Sequence, residues 1–84
     1  MEISYKNKKI QKVCTDVSFS DRIYGKEMSE RIHMRMSEIE AADTVEFLIK
    51  YHIGRCHPLT NNRKGQYALD LVHPYRLVFE KRRI

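Results

Sequence analysis

Residues 66–81, QYALDLVHPYRLVFEK, indicate the fold of the C-terminal part of the 84-residue chain. Apolar side chains recur at every second position on both sides of residues 72–74, Val-His-Pro: Tyr67, Leu69 and Leu71 before them, and Tyr75, Leu77 and Phe79 after them. This alternation is typical of strands with one buried face. Proline cannot donate to a sheet ladder, so it belongs in the turn. The stretch therefore predicts an antiparallel hairpin.

Upstream of the hairpin, the apolar spacing changes to that of a helix. One stripe at a period of 3.6 residues predicts a helix over residues 25–42: Met28, Ile32, Met36 and Ile39. The opposite face is charged and we expect it to be solvated: Glu27, Arg31, Arg35 and Glu38. Glu27 with Arg31, and Arg35 with Glu38, have the spacing of helical ion pairs.

The segments on either side of this helix are shorter. DTVEFLIKY, residues 43–51, predicts a second helix with Asp43 or Thr44 as its N-cap. Its buried side would comprise Val45, Leu48 and Ile49 or Phe47, and Gly54 would end it after Ile53. The two helices are close enough to form a hairpin or an angled pair.

The N-terminal quarter carries weaker patterns. Alternation in EISY, residues 2–5, predicts a first strand. Residues 10–19 fit a helical turn or a loop, and residues 18–27, SFSDRIYGKE, contain polar residues typical of turns. The resulting order of strand, helix, helix and antiparallel meander predicts one α+β domain over residues 1–84, with the helices on one face of the sheet.

Length and composition restrict where function can reside. A chain of 84 residues buries too little surface for a large internal cavity, so we expect a shallow groove. No apolar run is long enough to cross a membrane, and the start MEISYKNKK lacks a secretory core, which predicts a cytoplasmic protein. Cys14 and Cys56 have no CxxC or other ligand partner nearby, so we expect reduced thiols and no metal, with a disulfide as the alternative.

Charge is unevenly distributed along the chain. Residues 13–54 contain five Lys or Arg and eight Asp or Glu, which gives a net charge of −3. The two ends, residues 1–12 and 55–84, together contain eleven Lys or Arg and three Asp or Glu, which gives a net charge of +8. If the ends pack together, they form a positive face that attracts phosphate backbones. The alternative is that these residues only keep exposed strands soluble.

Three segments carry a family resemblance: HPL (57–59), RKGQYALDL (63–71) and YRLVFE (75–80). Together they resemble the C-terminal half of the HigB branch of the RelE superfamily, which are toxins of bacterial type II toxin–antitoxin systems. The specific part covers about residues 57–80, and the order of the preceding elements extends the similarity over most of the chain.

The resemblance implies a RelE-like fold and a specific activity. Members of this family cleave messenger RNA in the ribosomal A site, without a metal or another cofactor, in contact with ribosomal RNA. It also implies a HigA-like helix-turn-helix antitoxin as the partner, in a toxin–antitoxin heterotetramer.

Two residues match catalytic positions of the family. His57 matches the general base, and histidine exchanges protons near neutral pH. Arg76 matches the arginine that stabilises the transition state, and strand alternation places it opposite the Leu77 face, where a guanidinium can hold phosphate with two donors. The simpler alternatives are that His57 only begins a strand before Pro58 and that Arg76 only faces Asp70 across the hairpin.

Other basic residues are candidates for RNA binding. Arg63 and Lys64 match the basic part of a family loop and could contact phosphates, or they could be ordinary loop charges. Lys8 and Lys9, like Lys6, fit docking residues or a solvated turn better than chemistry.

The sequence also departs from the family pattern. Thr60 replaces a lysine that contacts the scissile region, and Asn61 and Asn62 replace a Gly-Asp pair. The family continues beyond the RLVF strand to a last strand with an Asp-Tyr-His-like group that includes the usual acid, whereas this sequence ends in EKRRI. His73 and Tyr75 are possible substitutes for that acid, but the sequence does not place them in the groove.

Three functions therefore remain open. The first is a ribosome-dependent mRNA endoribonuclease toxin, or mRNA interferase, which arrests growth by inhibiting translation. The second is a non-catalytic RelE-fold protein that binds RNA, the ribosome or only its antitoxin. The third is a ParE-like inhibitor of DNA gyrase, which the His-Pro-Leu segment and the internal Arg-Leu-Val-Phe disfavour.

Overall fold

A helical N-terminal part is followed by a small antiparallel sheet. The computed structural model describes residues 1–60 and 65–81. In chain order the elements are α1 Lys8–Thr15, α2 Val17–Tyr24, α3 Lys26–Ala41, α4 Val45–Lys50, a 3-10 helix Ile53–Arg55, β1 His57–Pro58, β2 Gln66–Asp70 and β3 Arg76–Glu80. The prediction of an α+β fold with an antiparallel sheet is confirmed.

Residues 8–24 form two helices, more helix than the sequence indicated. The side chains of Asn7 and Asp16 each accept the backbone N–H three residues ahead, at 2.9 and 3.1 Å. Each helix therefore begins at a side-chain cap, and Asp16 also separates the two.

The turn predicted from the polar residues of segment 18–27 is wrong for residues 18–24, which belong to α2; the chain changes direction at Gly25, between α2 and α3. Ser20 is buried, and its hydroxyl is hydrogen-bonded to Ser29 and to His33 Nε2, both on α3. Such side chains favour turns when they bond to their own backbone. Here the Ser20 hydroxyl donates to the Val17 carbonyl at 3.1 Å within α2 and is also hydrogen-bonded across to α3.

Helix α3 supplies more buried core residues than any other described element, and its prediction over residues 25–42 is confirmed. Ile32, Met36 and Ile39 are buried, and Met28 packs against them half-buried. This stripe meets Leu48 of α4 and Leu69 of β2 in one hydrophobic cluster. The cluster joins the helices to one face of the sheet.

The predicted N-terminal strand is absent from the sheet. Residues 1–5 do alternate in burial, with Met1, Ile3 and Tyr5 packed against the core. Their connection to α3 is a 2.8 Å hydrogen bond from the Met1 amino group to the carbonyl of Glu40, not a strand ladder. Alternation reports which side chains are buried, whereas a strand also requires a neighbouring backbone.

Helix α4 begins as predicted and ends early. Thr44 Oγ1 accepts the Phe47 N–H at 3.2 Å, but the helix ends at Lys50, ahead of Gly54. Val45 and Leu48 are buried, whereas Phe47 is 44% exposed. An ion pair of 3.0 Å between Glu46 and Lys81 ties the helix to the residue after β3.

The hairpin predicted from residues 66–81 is confirmed. Strands β2 and β3 pair antiparallel with Tyr67 opposite Phe79 and Leu69 opposite Leu77, and this inner face packs on the core. Strand β1 pairs with the other edge of β2. The opposite side of the sheet, which we call the outer face, carries His57, Ala68, Val78, Asp70 and Arg76.

Candidate anion-binding site on the outer face

The side chains of His57 and Arg76 project from the same side of the sheet. His57 lies opposite Ala68, and Asp70, two residues along β2, lies opposite Arg76. Directly paired residues and residues two apart share a face, so both side chains belong to the outer face. Two strand spacings and two residues along a strand separate their Cα atoms by about 12 Å. Two long side chains can contact one phosphodiester segment across that distance.

Arg55 lies between these two residues. A shallow cavity of about 420 Å³ is lined by Ile49, His52, Arg55, Cys56, His57 and Pro58. A second, of about 280 Å³, is lined by Arg55, Asp70, Leu71, His73, Pro74, Tyr75 and Arg76. Arg55 lines both and therefore connects His57 with Arg76. The sequence analysis did not single out Arg55, and its position two residues before His57 is the signal that could have indicated it.

The loop that presents Arg55 has a strained backbone. His52 and Arg55 have φ angles of 54°, and Gly54 between them has 58°. Left-handed conformation costs a non-glycine residue about 1–2 kcal/mol, and such strain is concentrated at functional sites. The side chain of Arg55 is 80% exposed, and its Nε lies 3.3 Å from Asp70 Oδ2.

Arg35 supports the site from beneath, contrary to its predicted place on a solvated face. Its side chain is 11% exposed, with Nη1 2.7 Å from Glu38 Oε1, and Nε donates to the carbonyl oxygen of Asp70 at 2.7 Å. The Arg35–Glu38 pair was predicted, but its burial was not. Burial is possible because the end of β2 supplies an acceptor that helical spacing cannot reveal.

Gly54 packs directly against this arginine. A Cβ atom at Gly54 would lie 2.9 Å from Arg35 Nε and 2.9 Å from Leu69 Cδ2. Glycine is therefore required here both for its positive φ and for close approach. The contact holds the loop containing Arg55 against the end of β2.

A hydrogen bond orients the imidazole of His57. Its Nδ1 lies 2.8 Å from the carbonyl oxygen of Arg55. A carbonyl oxygen only accepts, so Nδ1 carries the proton and donates it. In the neutral ring Nε2 then holds the lone pair that a general base needs.

His73 and Tyr75 line the second cavity together with Arg76. The sequence predicted Tyr75 to face the core, but its side chain is 63% exposed. Tyr75 belongs to the turn: its N–H donates to the carbonyl of Val72 at 2.9 Å, and β3 begins one residue later. Strand alternation therefore does not apply to it.

Of the remaining basic candidates, two lie on a helix away from the two cavities. Lys8 and Lys9 are exposed in the first turn of α1, a helix that packs on α2 and α3, and neither lines the two cavities. Arg63 and Lys64 lie outside the described residues. Among the described residues, the basic side chains that line the two cavities are therefore those of His52, Arg55, His57, His73 and Arg76, whereas Lys8 and Lys9 lie on α1.

Both cysteines are free thiols, Cys14 half-buried and Cys56 buried at the edge of the first cavity. Burial raises the pKa of each thiol above its ordinary value. A raised pKa leaves less thiolate near neutral pH, and the thiolate is the reactive form. The nitrogen groups of histidine and arginine therefore dominate the chemistry of this surface.

Across residues 1–60 and 65–81, no three His, Cys, Asp or Glu side chains come together as metal ligands would. Within the same ranges, no helix has both the length and the apolar character needed to cross a membrane. No known protein family matches the chain, and no curated protein or solved structure is detectably similar to it.

Proposed function

We propose that this chain is a HigB-like toxin of a type II toxin–antitoxin system, and that it cleaves messenger RNA on the ribosome. The observation that carries the proposal is the position of His57 and Arg76 on one face of the sheet, with Arg55 between them. The matching sequence pattern at residues 57–80 supports the same assignment. A RelE-like fold is part of the proposal.

The proposed reaction is an internal transfer within RNA. His57 Nε2 takes the proton of a ribose 2′-hydroxyl, and the 2′-oxygen forms a bond to the adjacent phosphorus. The guanidinium of Arg76 neutralises charge that accumulates on the phosphate oxygens. The bond from phosphorus to the 5′-oxygen then breaks, giving a 2′,3′-cyclic phosphate and a 5′-hydroxyl.

The departing 5′-oxygen needs a proton, and His73 is the best-placed donor. It lines the same cavity as Arg76, on the side of the turn and away from His57. A base and an acid on opposite sides of a phosphate are what this reaction requires, and each contributes about a hundredfold to ten-thousandfold in rate. His73 would thus supply the proton that a residue of a later strand supplies in the family.

The proposed partner is a HigA-like helix-turn-helix antitoxin that covers the outer face in a heterotetramer. An acidic segment would complement Arg55 and Arg76, and the chain has a net charge of +5. Binding should therefore weaken as salt rises. Equal affinity at low and high salt would remove the electrostatic part of this proposal.

A second candidate is a protein of the same type that binds RNA without cutting it. It is favoured by the Asp70 carboxylate, which lies within the arginine-rich cavity and neutralises part of its charge. A carboxylate there would reduce stabilisation of a phosphorane-like transition state. Binding of the ground state would be affected less.

The deciding experiment uses purified ribosomes programmed with a defined messenger RNA. The wild-type chain should generate fragments with 2′,3′-cyclic phosphate and 5′-hydroxyl ends, mapped by primer extension and end-specific ligation. His57→Ala and Arg76→Ala should each slow their formation roughly a hundredfold or more, whereas Lys26→Ala, which replaces an exposed lysine on α3, should not. Ribosome binding without fragments would favour the second candidate, and the absence of both would contradict the proposed function.

A further inference from the structure

The second cavity contains a carboxylate between two arginines. Asp70 lies directly opposite Arg76 in the β2–β3 ladder, and its Oδ2 lies 3.3 Å from Arg55 Nε. All three residues line the cavity. Their side chains together carry one net positive charge at neutral pH. One additional negative charge, bound from solvent, would therefore neutralise the group.

Asp70 holds Arg55 only loosely. A charge-assisted N–H···O bond measures about 2.7–2.9 Å, and the Arg55–Asp70 contact is longer, at 3.3 Å. Arg35, by comparison, has two contacts of 2.7 Å and a side chain 11% exposed. Arg55 is 80% exposed, so its guanidinium can exchange one anion for another.

A phosphate can bind this pair of arginines better than Asp70 does. The carboxylate is anchored to β2, whose carbonyl at the same residue is fixed by Arg35. A free phosphodiester can approach from solvent and present its two unbridged oxygens to two guanidinium groups at once. Arginine binds such oxyanions through paired parallel donors.

We propose that Arg55 and Arg76 form a clamp for one phosphate group of single-stranded RNA, and that Asp70 is a built-in competitor which the phosphate displaces from Arg55. This inference rests on the proposed function, because it takes RNA as the ligand of the outer face. It adds a second phosphate-binding arginine, and it assigns Asp70 the role of weakening RNA affinity.

The competitor role predicts effects of opposite sign at two residues in contact. Arg55→Ala removes a phosphate donor and should weaken RNA binding roughly tenfold. Arg55→Lys retains the charge without the planar donor pair and should lie between that variant and wild type. Asp70→Asn removes the competing charge at almost constant shape and should tighten binding several-fold. If the Arg55–Asp70 ion pair only stabilised the fold, Asp70→Asn would not tighten RNA binding.

The experiment measures fluorescence anisotropy of a labelled single-stranded RNA that carries 2′-O-methyl groups throughout, so that it cannot be cleaved. Titrations between about 50 and 200 mM salt give both affinity and salt dependence. Arg55→Ala should reduce the slope of log affinity against log salt by about one. Arg22→Ala, an exposed arginine on α2 that lines neither cavity, is the matched control. Thermal melting identifies variants that fail to fold.

Weaker binding by Arg55→Ala together with tighter binding by Asp70→Asn would support the clamp. Wild-type affinity in both variants, alongside weakened binding by Arg76→Ala, would overturn the clamp and leave the proposed function intact. If Asp70→Asn does not fold, wild-type affinity in Arg55→Ala and Arg55→Lys overturns the clamp by itself. A wild-type chain that binds no RNA in this assay and cuts none on the ribosome would overturn both proposals.

Discussion

Arg35 Nε donates a 2.7 Å hydrogen bond to the carbonyl oxygen of Asp70, 35 positions later in the chain. This bond fixes the last residue of β2 to the middle of α3. The backbone of Asp70 is thereby anchored while its carboxylate contacts Arg55 on the outer face. The buried Arg35 thus connects α3 to Asp70, the residue that lies between the exposed Arg55 and Arg76.

Replacing Arg35 should destabilise the fold. In Arg35→Met the carbonyl of Asp70 loses its side-chain donor and Glu38 loses its ion partner, and an unsatisfied buried polar group costs about 1–3 kcal/mol. We expect the free energy of unfolding to fall by about 2–3 kcal/mol, measured by urea denaturation. Arg31→Met, one turn earlier on the same helix, should change it by less than about 0.5 kcal/mol. Equal stability of the two variants would contradict the anchoring role.

Gly54→Ala tests the close approach of the loop to Arg35. The added Cβ would lie 2.9 Å from both Arg35 Nε and Leu69 Cδ2, at a φ of 58°. Gly25→Ala is a matched control, because Gly25 also has a positive φ, 83°, but nothing lies within 4 Å of its added Cβ. Left-handed backbone strain costs Gly54→Ala about 1–2 kcal/mol. Gly25→Ala incurs about 1–3 kcal/mol, because its φ of 83° and ψ of 162° lie in a region that essentially only glycine adopts. Gly54→Ala adds about 1–3 kcal/mol of overpacking and should therefore melt at a lower temperature than Gly25→Ala.

Arg76 and Phe79 should have separable roles. Arg76→Ala removes an exposed side chain, so melting should change little, while cleavage should slow roughly a hundredfold, equivalent to about 3 kcal/mol of transition-state stabilisation. Phe79 is half-buried and stacks on Tyr67 at 5.6 Å between ring centroids. Phe79→Ala should cost about 2–3 kcal/mol of stability. Growth arrest on induction, measured beside melting for each variant, separates the two, and normal toxicity of a folded Arg76→Ala protein would contradict its catalytic assignment.

The protein should lose stability in alkaline solution. Burial raises the pKa of Tyr5, with smaller contributions from Cys14 and Glu40, and burial raises the pKa of both cysteine thiols. Because each group keeps its proton to a higher pH in the folded chain, its protonated form favours folding. This contribution to stability is complete below the unfolded-state pKa and is lost as the pH rises through the folded-state pKa. Unfolding free energies should therefore decline above about pH 8.5–10.

Tyr5→Phe provides the check on this alkaline effect. It removes one of the three titrating groups and should make the decline between about pH 9 and 11 shallower. Tyr24→Phe, at a tyrosine 51% exposed on α2, serves as the comparison. Identical pH profiles for wild type and Tyr5→Phe would show that Tyr5 contributes nothing to the alkaline loss.

Local patterns in the sequence determined the elements whose burial is periodic. The stripe from Met28 to Ile39 predicted α3, Thr44 predicted the start of α4, and alternation around residues 72–74 predicted the β2–β3 hairpin. The same alternation placed Arg76 on the face opposite Leu77. These features depend on neighbours within a few positions, so spacing alone is enough to reveal them.

Only the tertiary structure decided which residues meet across the chain. The alternating residues 1–5 form no strand, because their side chains reach the core while no strand among residues 1–60 and 65–81 pairs with them. Arg35 is buried rather than solvated because the end of β2 supplies an acceptor from 35 positions away. Arg55 joins His57 to Arg76 because a left-handed loop and Gly54 bring it over the outer face. Periodicity carries no information about such contacts, since each depends on a partner that is distant in sequence and close only after folding.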